Sequence, residues 1–106
     1  MNTTFTQGGP MKYLMVYEIG PVSPDLLRSI FPAHRARIDE FAARGDIVAS
    51  GPIVDDAGRP SGLAYGVFHT RQAAEEFATG DPFVTSGAVA KWRVDNWNEV
   101  LLPPPG

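Results

Sequence analysis

Two segments of this 106-residue chain, Lys12 to Ile19 and Gly62 to His69, are apolar in both of their alternating sets of residues. In the first, Tyr13, Met15, Tyr17 and Ile19 alternate with Leu14 and Val16; in the second, Leu63, Tyr65 and Val67 alternate with Ala64 and Phe68. Successive side chains of a strand point to opposite faces, so a strand apolar in both sets must be covered on both. Any fold for this chain has to place cover on each side of these two strands.

The elements between them follow from local signals. Gly20-Pro21 ends the first strand, and Ser23-Pro24 supplies an N-cap with a proline at the first helical position. A helical pattern then runs to Arg44, where Gly45 stops it. Pro32 predicts two pieces, a turn or two from Pro24 to about Ile30 and a main helix starting near Pro32, with His34 in its first turn. Asp46 to Val54 is the second strand, with a bulge or bend at Gly51-Pro52. Residues 55–61 read as a turn by composition. After the third strand, Thr70 caps a helix to about Thr79 with Ala73, Ala74, Phe77 and Ala78 inward and Gly80 as its stop. Asp81-Pro82-Phe83-Val84 reads as the cap of a short helix. Val89 to about Asn98 is the last strand, with Ala90, Trp92 and Val94 facing in and Lys91, Arg93 and Asp95 facing out.

This order, βαββαβ, predicts an α+β, ferredoxin-like fold: an antiparallel sheet with both helices on one face. The first and third strands are central in that topology, and the helices cover only one side of them. A second copy of the same sheet is the economical cover for the other, which predicts a homodimer packed sheet against sheet as a two-subunit α+β barrel. One domain is expected over residues 11–98, preceded by a flexible N-terminal extension at 1–10 and followed by a proline-rich tail at 99–106.

Composition narrows the function. With 43% hydrophobic residues the chain can bury a core, though at this size a deep cleft calls for a second subunit. The net charge of −3 and the scattered nine lysines and arginines give no basic stripe, which argues against nucleic acid as a partner. The chain has no cysteine, so disulfides, thiolate nucleophiles and cysteine-based metal sites are excluded. No apolar run approaches the roughly 20 residues of a membrane span, and the first ten residues do not read as a secretory signal. The expectation is a cytoplasmic protein with no membrane partner.

The candidate site starts from a histidine in an apolar stripe. Leu27, Ile30, Ile38 and Phe41 recur at helical spacing, and His34 lies among them, where an imidazole needs a partner. Asp81, at the junction with the short helix, offers a carboxylate. If the fold joins them, the pair has the minimum equipment for acid–base work. The plainer reading of His34 is a buried histidine satisfied for structure alone, and that of Asp81 is an N-cap; a carboxylate has lone pairs enough to cap and to orient an imidazole together. Ser50, Gly51 and Pro52, where the second strand bends, are the candidate substrate contacts, although a serine in a strand often has no special role. Tyr13, Tyr17 and Tyr65 are assigned to the core or the dimer interface, Arg35 and Asp39 to a solvated pair, His69 to the surface, and Trp92 and Trp97 to packing. Two isolated histidines without nearby patterned carboxylates make a weak metal signature, and no metal is expected; neither a P-loop nor a Gly-x-Gly-x-x-Gly pattern is present.

The motifs Pro32-Ala33-His34-Arg35-Ala36-Arg37, Gly45 followed by Ser50-Gly51-Pro52, and Asp81-Pro82-Phe83, in that order, resemble the YciI-like (YCII-related) proteins over roughly residues 11–98. The resemblance implies a small dimeric α+β barrel in which a histidine and an aspartate, matching His34 and Asp81, form an active-site dyad. One branch of the family resembles dehydrochlorinases acting on chlorinated hydroxyquinols. Pro32, with the Leu26 to Phe31 segment before it, departs from the family's pattern and bears on where the helix starts. The resulting expectation is a cofactor-independent, lyase-like or dehydrochlorinase-like enzyme using His34 and Asp81 on a small aromatic or cyclic molecule. The competing classes are a non-catalytic small-molecule binding or accessory module and a cofactor-free monooxygenase.

Overall fold

A computed structural model describes residues 11–100 of the chain. The extension expected at 1–10 and the proline-rich residues 101–106 lie outside the described residues. The elements are β1 (Met11–Ile19), α1 (Pro24–Ala43), β2 (Ile47–Val54), β3 (Pro60–Phe68), α2 (Arg71–Gly80), α3 (Pro82–Thr85) and β4 (Val89–Asn98). The four strands form one antiparallel sheet in the order β2-β3-β1-β4, the ferredoxin-like arrangement that the strand and helix order predicts. β1 and β3 are its central strands.

Register assigns the two faces. Met15 lies opposite Gly66 and Val94, and Tyr17 opposite Ala64 and Trp92; this set faces the helices. Met15, Tyr17, Phe68 and the α2 residues Ala73, Ala74, Phe77 and Ala78 make the buried core together with Phe41 of α1 and Val89. Phe77 is its hub, edge-on to Phe41 at 5.2 Å and tilted against Phe68 at 5.4 Å. The opposite face carries Leu14 beside Val67 and Val16 beside Tyr65, and among the described residues no helix covers it. Among the described residues no helix is long and apolar enough to cross a membrane.

Helix ends follow their caps. The Ser23 hydroxyl accepts from the Leu26 amide at 3.1 Å and Pro24 occupies the first turn; the Thr70 hydroxyl accepts from the Ala73 amide at 3.1 Å. Gly45, just past α1, takes φ +79°, the left-handed conformation in which a side chain is strained.

The structure departs from the sequence expectations in four places. The segment from Pro24 to Ala43 is a single 20-residue helix with Pro32 inside it, so His34 sits in mid-helix and not in a first turn. Proline removes one amide donor from the helix ladder. The affected carbonyl belongs to Arg28, and Arg28 and Pro32 are both exposed, which leaves that carbonyl to water while the inner face stays packed. Gly80 is the last residue of α2 and not a stop beyond it; the chain turns at Asp81, whose backbone is extended (φ −71°, ψ 147° is the value at Ser23, and φ −71°, ψ 128° at Asp81). β3 begins at Pro60, two residues earlier than the turn composition of 55–61 predicts, because the Asp55 carboxylate accepts from the amides of Ala57 and Arg59, at 2.9 Å each, and closes the hairpin early. Ala90 is exposed, although Trp92 and Val94 do pack on the core. The irregularity expected in β2 at Gly51-Pro52 falls beside that pair: Ser50, Gly51 and Pro52 pair in register with β3, and the register shifts lie between Ile47 and Ala49 and between Pro52 and Val54.

Candidate functional site

Small residues open a hollow between α1 and the β2–β3 half of the sheet. Ala42 on the helix and Ser50, Gly62 and Ala64 on the strands line it and cannot fill the space that larger side chains would close. The resulting cavity measures about 550 Å³, within the range that holds a small organic molecule. Met15, Tyr17 and Ile19 of β1 form its floor, Phe31, His34, Arg35 and Ile38 of α1 its wall, and Phe83 of α3 its end. Ser50, Gly51 and Pro52 all lie on its β2 side.

His34 and Asp81, 47 residues apart in the chain, meet at this wall. Nδ1 of His34 lies 2.8 Å from Oδ1 and 3.0 Å from Oδ2 of Asp81. The carboxylate has no exposed surface, and the imidazole side chain is 12% exposed. The ring is fixed by packing as well: it stacks on Phe83 with centroids 4.1 Å apart and planes 7° from parallel, and it meets Phe77 edge-on at 6.1 Å. With an ionised carboxylate as partner, Nδ1 carries the proton and donates it, which leaves the Nε2 lone pair of the neutral ring unshared. Among the described residues, none is hydrogen-bonded to Nε2.

Asp81 is oriented by more than histidine. Its Oδ1 accepts from the Phe83 amide at 3.2 Å, the N-cap contact of α3. Its Oδ2 accepts from the Tyr17 hydroxyl at 2.7 Å. Tyr17 is itself 2% exposed. Burial pushes its hydroxyl far above the usual phenol range, and the hydrogen bond to Asp81 and that carboxylate's negative charge push it further, against the opposing pull of the Arg37 cation. The sequence assigned Tyr17 to packing alone; its role at the carboxylate was not legible, because a tyrosine in an apolar strand carries no sign of where its hydroxyl will reach.

A second missed residue, Arg37, fastens the corner that bears Asp81. Its guanidinium donates to the Phe77 carbonyl at 3.1 Å and to the Glu76 carbonyl at 2.8 Å, both in the last turns of α2. Arg35, by contrast, pairs with Asp39 at 3.0 Å on the surface, as a solvated i,i+4 pair. His69 is exposed. Among the described residues, no group of three or more His, Asp or Glu stands close enough to hold a metal ion.

Solved structures resemble this chain in shape. The structure of 5-chloro-2-hydroxyhydroquinone dehydrochlorinase (TftG) from Burkholderia phenoliruptrix AC1100, in complex with 2,5-dihydroxybenzoquinone, superposes with a TM-score of 0.64 at 21% identity, covering 81% of this chain and 92% of that one. A conserved protein from Methanosarcina mazei Go1 superposes with a TM-score of 0.51 at 9% identity, covering 84% and 91%. At these identities the likeness is one of fold. No curated protein matches the chain. Residues 11–98 match the YCII-related domain, and the chain therefore belongs to the YCII-related family of α+β proteins.

Proposed function

We propose that this protein is a cofactor-independent acid–base enzyme in which His34 moves a proton on a small cyclic molecule held in the cavity, while Asp81 fixes the imidazole and stabilises its charged form. One observation carries the reading: a histidine on the wall of a cavity of about 550 Å³ has its inner nitrogen bound to a fully buried carboxylate. In that tautomer Nε2 accepts a proton, and the carboxylate beside Nδ1 favours the imidazolium that results. The largely apolar walls exclude water from the ring of a bound molecule and strengthen the attraction between its developing charge and the dyad. Ser50 offers a hydroxyl, and Gly51 and Pro52 shape the edge against which the ligand rests.

The fold shared with the Burkholderia dehydrochlorinase supports chlorinated hydroquinols as the first substrates to try. On such a ring, Nε2 takes one hydroxyl proton and returns it to the chlorine-bearing carbon. Loss of a second hydroxyl proton, with chloride leaving with its electron pair, then forms the quinone. The net change is loss of HCl, and no oxidant is required. We further propose that a second copy of the chain covers the free sheet face, giving a homodimer, and that a small molecule rather than nucleic acid is the ligand.

The test is chloride release from a panel that includes 5-chloro-2-hydroxyhydroquinone, with oxygen uptake followed in parallel. The expected result is chloride release by the wild type and a loss of about 100-fold or more in His34→Asn and Asp81→Asn, each with unchanged circular dichroism. Ligand binding that survives His34→Asn, with no turnover of any panel member, would identify a binding module instead. Oxygen uptake tied to quinol consumption would identify a monooxygenase.

A further inference from the structure

Tyr17 reaches Asp81 from the sheet, and His34 reaches it from α1. The buried carboxylate thus has three donors: the imidazole Nδ1–H, the Tyr17 hydroxyl at 2.7 Å and the Phe83 amide at 3.2 Å. Asp81 has no exposed surface, so these donors replace its water. A carboxylate so enclosed divides its hydrogen-bonding capacity among its partners, and each donor present weakens its hold on the others.

We propose that Tyr17 is a positioning residue of the dyad: by donating to Oδ2 at 2.7 Å it holds the carboxylate in the orientation in which both oxygens face His34 Nδ1, Oδ1 at 2.8 Å and Oδ2 at 3.0 Å, and it limits how tightly the His34–Asp81 pair retains a proton. The inference rests on the acid–base reading of the site. A pair that held its proton too firmly would be a poor proton donor in the second half of a transfer, and a further neutral donor on the carboxylate is the simplest device for easing that hold. Tyr17 is suited to it. Its hydroxyl stays protonated throughout the working range, since both burial and the adjacent carboxylate oppose its ionisation. The groups facing the pair are few. From α1 come the cations of Arg35 beside the cavity and Arg37, which acts on Tyr17; the register neighbours of Tyr17 in β3 and β4, Ala64 and Trp92, carry no charge; and the α2 and α3 neighbours of His34 are the rings of Phe77 and Phe83. Tyr17 is therefore the neutral donor to the carboxylate that substitution can remove without changing the charge of the site.

The experiment is a pH titration of the His34 ring signals by NMR in the full chain, comparing wild type, Tyr17→Phe and Asp81→Asn, with the ring signals of Phe77 and Phe83 as a check that packing is intact. In Tyr17→Phe the carboxylate keeps two donors, and the pair should hold its proton to a pH higher by about 0.5–1 unit, with the acid limb of any measured kcat/KM profile moving by the same amount. Site-specific 3-fluorotyrosine at position 17, a stronger donor in an unchanged shape, should move the midpoint the other way, and it answers the question even if the phenylalanine variant fails to fold. Coincident midpoints in wild type and these Tyr17 variants, while Asp81→Asn shifts, would overturn the role of Tyr17 and leave the dyad standing. A His34 titration that Asp81→Asn also leaves unmoved would overturn the dyad reading itself.

Discussion

His34 spends a position on the inner face of α1 that a leucine would fill, and the structure shows what compensates for it. The ring stacks on Phe83 while Nδ1 is bound to Asp81, so the aromatic surface is packed and the polar edge is satisfied. Removing the carboxylate should be far worse than removing the imidazole. Asp81→Ala strands the Tyr17 hydroxyl, the Phe83 amide and the His34 ring without their acceptor, and each buried donor left unsatisfied costs about 1–3 kcal/mol; His34→Ala, which leaves the carboxylate two of its three donors, should cost less in urea denaturation. Tyr17 adds a second consequence. A group whose folded pKa is raised contributes stability that is fully present below its unfolded value and is lost as pH rises. The unfolded chain releases the Tyr17 proton near pH 10, whereas the folded chain holds it. Stability should therefore fall above pH 10 by about 1.4 kcal/mol per pH unit more in wild type than in Tyr17→Phe, which thermal melts between pH 8 and 11 would read. Equal slopes would show that the hydroxyl is not held as the geometry implies.

At the scale of elements, the dyad depends on a corner. The chain leaves α2 at Gly80 and enters α3 at Pro82, so Asp81 alone joins them, ending one helix and capping the next. Arg37, one turn beyond His34 on α1, donates to the Glu76 and Phe77 carbonyls near the end of α2 and so ties the helix bearing the imidazole to the corner bearing the carboxylate. Gly80 leaves room for it: a Cβ there would come within 2.5 Å of the Arg37 guanidinium. Gly80→Ala should therefore force Arg37 off the helix end, destabilise the fold by about 1–3 kcal/mol and disturb the His34 ring signals, although position 80 touches neither dyad residue through a side chain. Unperturbed His34 signals in that variant would show that the corner is held by other means. Pro32→Ala is the converse case. Its amide would rejoin the ladder on an exposed face, so the helix should gain up to about 3 kcal/mol in denaturation with the His34 signals unchanged. These elements also show what the sequence makes legible. Ser23, Thr70 and Gly45 mark helix ends by local chemistry, and a histidine in an apolar stripe declares its need for a partner. The continuity of α1 through Pro32 was not legible, because whether a proline breaks or merely interrupts a helix depends on tertiary packing of the opposite face. Arg37 and Tyr17 were hidden for a related reason: each acts through a group 40 or more residues away, and nothing in the sequence near either one marks that distant contact.

For the whole molecule, the question is what lies on the far side of the sheet. Leu14, Val16, Leu63, Tyr65 and Val67 share that face through the β1–β3 register, with Leu63 at 36% and the β4 residue Trp97 at 41% exposed. Charged Lys91, Arg93 and Asp95 border them on β4. An apolar centre with a charged margin is the composition of an interface between subunits, and an antiparallel sheet meets its own copy across a two-fold axis without needing a different complementary surface. A stable association of this kind needs roughly 800 Å² from each partner, about what one face of a four-stranded sheet presents. Light scattering should accordingly give twice the chain mass of 11.5 kDa for the wild type at micromolar concentration. Val67→Asp, near the end of the central strand β3 and directly opposite Leu14, places a charge in the apolar part of the contact and should give a monomer. A wild type that scatters as a monomer would leave the apolar face without the second copy as its cover. The two faces of the sheet are mechanically joined, because β1 sends Val16 into the proposed interface and its neighbour Tyr17 to Asp81 on the other side. A monomeric Val67→Asp protein should for that reason keep the fold yet show broadened His34 signals, as the strand that holds the carboxylate loses its backing.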